Sequence, residues 1–115
     1  MYSNLKILVA VIMVLLFSAG FCLAKAPSGN KRKGKYIYRN IYKECAKKGE
    51  VKSKTPPVSP SDKTMAQWKR IFDRKKFEIF RCTNEWSKLS PGQINDIYSY
   101  LYSHAADSPT PAKCK

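Results

Sequence analysis

Downstream of residue 24, the thiol, imidazole and thioether side chains, which ligate soft or borderline metals or form covalent links, are few: Cys45, Cys82, Cys114, His104 and Met65. Thiols exported to an oxidising compartment pair, so three give one disulfide and one leftover thiol. Cys82 with Cys114 is the expected bond, because a C-terminal tail gains most from being tied down. A loop of ~30 residues contributes roughly 3–4 kcal/mol on the chain-entropy account. Pairing of Cys45 with either of the others stays open. An unpaired Cys45 would lie near Lys43, Lys47 and Lys48, whose charge favours the thiolate and a redox-sensing role. The eight acids are scattered, and no Ser/His/Asp or Cys/His pairing has a useful spacing, so no enzyme is expected.

The elements that position these groups read as helices. Ile37, Tyr38, Ile41, Tyr42 and Cys45 recur every three or four residues, with Lys35, Arg39, Lys43 and Lys47 on the wet side. Gly49 suits the end of that helix. Residues 50–61, with Pro56, Pro57 and Pro60, form an extended loop. Thr64 and Gln67 make a capping box for a helix whose apolar face is Trp68, Ile71 and Phe72. Ser90, Pro91 and Gln93 open the last helix, with Ile94, Ile97, Tyr98, Leu101 and Ala105 in one stripe and an end near residues 104–106. Residues 73–89 carry no clear period. The prediction is all-α, with three main helices and long loops.

The segment from Gly34 through Tyr38 and Tyr42 to Cys45 and Ala46, the Trp68 helix and the Leu89-Ser90 to Leu101 helix together resemble a class I cytochrome c over residues 34–107. The set is most similar to small exported monohaem cytochromes of sulfate-reducing bacteria. Similar sequences there carry Lys-Thr-x-Ala-Gln-Trp, as at residues 63–68, and a Ser-Pro-x-Pro-Ala-Lys-Cys tail, as at residues 108–114. The resemblance implies a steep crossing of the first and last helices through Gly34, Tyr38, Tyr98 and Leu101. It also implies haem c, held by two cysteines three residues apart and an adjacent histidine.

Here the chain departs from the family. Tyr42 stands at the first cysteine position, Cys45 at the second and Ala46 at the histidine. Met65 stands at the start of the middle helix rather than in the loop before the last, and His104 ends the last helix, so neither falls where the family places an axial ligand. The expected cofactor is therefore none, with Cys45 a remnant of attachment and aromatics filling the pocket. The alternative is a haem carrier using Cys45 and an unusual ligand.

Charge suggests the partner. Residues 1–24 read as a secretory signal peptide, with Lys6 before an apolar run and Cys22-Leu23-Ala24 at the cleavage site, so the protein is exported, periplasmic or secreted, and not membrane-spanning once cleaved. Residues 25–33 are a basic leader expected to be disordered, 34–107 the domain and 108–115 an extended tail. The whole chain has a formal net charge of +14, and residues 94–107 lack Lys and Arg altogether. Such a field favours an anionic partner. Export argues against nucleic acid. The resemblance implies an acidic redox protein or a membrane-associated electron-transfer complex, docked by Lys43, Lys47, Lys48, Lys52 and Lys54. A small cationic protein binding anionic envelope polymers or lipid is a further alternative.

Overall fold

The computed structural model describes residues 26–113. The signal-peptide reading and Cys114 fall outside them. Four α-helices and two 3-10 turns form the domain, with no strand among the described residues. The all-α expectation holds, with one short helix more than the three foreseen.

α1 spans Lys31–Lys47, three residues earlier than the apolar period suggests. Asn30 caps it, its side chain accepting the Lys33 amide at 3.0 Å. The leader expected to be disordered is thus ordered from its far end. The Gly29 amide donates to Ser99 Oγ at 2.7 Å, and the Asn30 amide donates to Asp96 Oδ1 at 2.8 Å. A Pro/Ser/Gly/Asn composition reads as disorder, but here Gly and Asn are the contact and the cap. α1 ends as expected: Gly49 takes φ +77°, and the Gly49 and Glu50 amides close back on the carbonyls of Ala46 and Cys45.

The Pro-rich loop leads to a 3-10 turn at Pro60–Asp62 and then α2 at Met65–Asp73, capped by the Thr64/Gln67 box. Between α2 and the last helix lie a 3-10 turn at Phe77–Phe80 and α3 at Thr83–Ser87. Arg81 and Cys82 separate them, both at positive φ, a conformation that non-glycine residues seldom adopt. α4 spans Pro91–Ser103 with the Ser90/Gln93 box. The tail is not free: the Ala112 amide donates to the His104 carbonyl at 2.9 Å, and Ser108 is buried.

α1 and α4 make the main helix interface. A Cβ on Gly34 would lie 1.9 Å from the Asp96 carbonyl oxygen, so only glycine allows the backbones to come this close. Beneath the crossing, Phe80 lies between two indoles, 4.4 Å from Trp86 at 14° and 5.9 Å from Trp68 at 4° between ring planes. Two buried polar groups of the core are paired to loop carbonyls, whereas Trp86 Nε1 is buried without a partner among the described residues. The Tyr42 hydroxyl donates to Phe80 at 2.8 Å, and Trp68 Nε1 donates to Pro60 at 2.9 Å. These bonds fasten helices α1 and α2 to segments that have little regular structure of their own.

Candidate functional site

Cys45 sits in the last two turns of α1, fully buried, and its sulfur is bonded to Cys82, with the two Cα atoms 6.0 Å apart. This replaces the expected Cys82–Cys114 bond. The tail is held by backbone hydrogen bonds instead, and the covalent tie joins α1 to the residue that precedes α3. The Glu50 carboxylate lies 3.4 Å from the Cys45 sulfur and accepts from Asn84 at 3.3 Å. The three side chains form a compact Cys45/Glu50/Cys82 group, but its sulfurs are committed to one another.

The residues that the resemblance would align with haem attachment do not fit covalent haem. Cys45 has no free thiol to add to a vinyl group, and Ala46 carries no donor atom. Tyr42 is fully buried and fills its position with a phenol bonded to the Phe80 carbonyl. Burial pushes the Tyr42 hydroxyl up to about 12. His104 faces the tail, with Nδ1 2.7 Å from the Thr110 carbonyl oxygen. Met65 packs against the core, and its amide donates to Asp107 at 2.8 Å.

The five candidate docking lysines are placed in three different ways. Lys47 pairs with Glu44 at 3.2 Å, and Lys48 pairs with Glu85, which Lys88 also approaches at 3.5 Å. The Lys48 hydrogen bond holds the Glu85 carboxyl below its usual range. Lys43 and Lys54, in contrast, line an open groove of ≈ 860 Å³. Lys52 lies outside it.

One wall of the groove is α1, presenting Lys35, Arg39 and Lys43; the other is the Pro-rich loop with Lys54 and the tail with Lys113. Tyr38, Tyr100 and His104 lie between the walls, and among the described residues no Asp or Glu lines it. Arg39 is close enough to Tyr100 to oppose, weakly, the upward push of burial on that phenol. The helical period puts Lys35 and Arg39 on the wet side of α1 without joining them to a site, and no local signal gives Lys113 a role. The signal for α1 was available, since residues 35, 39 and 43 share a helical face. The facing wall was not, because nothing local ties the loop or the tail to α1. A smaller depression of ≈ 190 Å³ on α2 is also basic, lined by Lys63, Arg70, Arg74 and Lys76.

Comparison with protein-family models, curated proteins and solved structures finds no match.

Proposed function

We propose that this chain is an exported, haem-free relative of the class I cytochromes c. In this reading it is a non-enzymatic docking or accessory module of an electron-transfer system, engaging an acidic redox protein or a membrane-associated complex. The observation that carries the docking reading is the groove: five cationic side chains converge on it, and among the described residues no Asp or Glu lines it. Such a surface raises encounter rates with acidic partners. The close α1–α4 crossing at Gly34 supports the family resemblance. The Cys45–Cys82 bond and the Ala46 position support loss of haem, and they disfavour the alternative in which Cys45 carries it.

The test is expression of the full chain, export signal included, alongside a haem-maturation system. We expect no Soret absorbance surviving denaturing electrophoresis, and a Cys45–Cys82 peptide in non-reducing mass mapping. A persistent Soret band with Cys45 alkylated by haem would overturn the haem-free reading. Retention on an acidic redox protein at low salt, lost at high salt, is the matching expectation for docking.

A further inference from the structure

We propose that the groove between α1 and the Pro-rich loop takes an extended acidic peptide segment of a protein partner, whose alternate carboxylates face Lys35, Arg39 and Lys43. The proposal rests on the docking reading and makes it specific.

Three observations lead there. The first is spacing. Residues four apart on a helix rise by about 6 Å, so the three cations form a row of about 12 Å. Residues two apart on an extended strand repeat every 6.6–6.8 Å or so and project to one side. Three alternate carboxylates therefore meet three cations with a cumulative offset of about 1–2 Å, which the long exposed side chains of α1 absorb. The second observation is enclosure. Lys54 and Lys113 stand on the opposite wall, so the ligand has cations on both sides. A groove of ≈ 860 Å³ is at the large end for a small-molecule site and suits a run of residues better than a lone anion.

The third observation separates peptide from nucleic acid. Single-stranded nucleic acid needs open aromatic faces on which bases stack. Tyr38 and Tyr100 reach the groove but are only 1% and 9% exposed, their rings committed to the core. Tyr36, the strongly exposed aromatic, does not line it. The one partly exposed aromatic ring in the lining, His104, packs edge-on against Tyr100 with Nδ1 on the Thr110 carbonyl, so the groove offers charge in a row and no run of open rings on which successive bases could stack.

The experiment uses fluorescence anisotropy with the oxidised protein and two labelled peptides of equal composition. One alternates Glu and Ser; the other carries all Glu residues in one block followed by all Ser. We expect the alternating peptide to bind at least about threefold more tightly. The double variant Arg39→Glu/Lys43→Glu, at exposed positions, should lose at least about tenfold. Arg70→Glu/Arg74→Glu, on the α2 depression, should change binding less than about twofold. Equal binding of the two peptides, still lost in the α1 variant, overturns the register and leaves the docking groove standing. Equal losses in both variants overturn the groove itself along with the proposal. Tighter binding of a single-stranded oligonucleotide or a sulfated glycan of the same charge overturns the choice of peptide.

Discussion

The two ends of α1 are secured by opposite means. At its start, Gly34 contributes no side chain and lets α1 press backbone to backbone on α4, while the Gly29 and Asn30 amides just before it bond the Ser99 and Asp96 side chains. At its end, Cys45 contributes a covalent bond to a residue outside any long helix. The contrast shows how each end answers its surroundings. α4 is a rigid, well-capped surface that a bare backbone can press against. The region around Phe77–Ser87 is two short pieces joined by residues at positive φ, and it needs a cross-link to stay in place.

The largest effect should come from removing that cross-link. Cys45→Ala/Cys82→Ala opens a loop whose ends are 37 residues apart, and a loss of about 4 kcal/mol is expected, read from denaturant midpoints. If the loss is far smaller, the end of α1 is held by its aromatic packing and the contrast fails. Gly34→Ala comes next, with an expected cost of about 3 kcal/mol, because the new methyl cannot coexist with the Asp96 carbonyl. A neutral result would mean that the α1–α4 crossing is looser than described.

Tyr42→Phe strips the buried Phe80 carbonyl of its donor and should cost about 1–2 kcal/mol. The same variant sharpens the point by pH. Burial raises Tyr38, Tyr42, Tyr98 and Tyr100 above the ordinary value of 10.0, Tyr42 and Tyr98 to about 12. Their folded forms hold the proton more tightly than the unfolded chain does. The resulting stability is complete below pH 10 and is lost as the pH climbs toward 12. Thermal melts across that window should show the loss, and Tyr42→Phe should make it less steep. Glu85→Gln should have the smallest effect. Its lowered carboxyl contributes only above its ordinary value of 4.5, and that contribution fades as the pH falls below it. Glu85 is largely covered but its partners Lys48 and Lys88 are solvent-exposed, so the change should show only as a slight flattening of the acid limb.

How much of this was legible in the sequence follows from how local each feature is. The boxes at Thr64/Gln67 and Ser90/Gln93 are complete within four residues, and both open helices where expected. Gly34 stands out only through the resemblance, which implies a crossing of the first and last helices at that residue, and a close approach of backbones is what it permits. Residues 77–87 were opaque, since the turn there depends on Arg81 and Cys82 adopting backbone angles their residue types do not advertise. Asn30 was hidden by its own polarity, which serves a cap as well as a loop. The partner of Cys45 could not be read either, because pairing depends on which distant segment the aromatic core brings close. The groove failed for the same reason: α1 displays its cations locally, but Lys54 and Lys113 arrive only through the fold.

The Cys45–Cys82 bond also alters the route by which the chain can reach this fold. In the reduced chain, Gly34 and Asp96 are separated by some sixty residues of backbone, and the α1–α4 crossing must close that whole loop. With the bond in place, the path through the two sulfurs is only about twenty-five residues long. The saving in closure entropy is slightly under about 1 kcal/mol. It acts on the most sequence-distant helix pairing, which gives the oxidised chain a lower effective contact order and a faster approach to the native crossing.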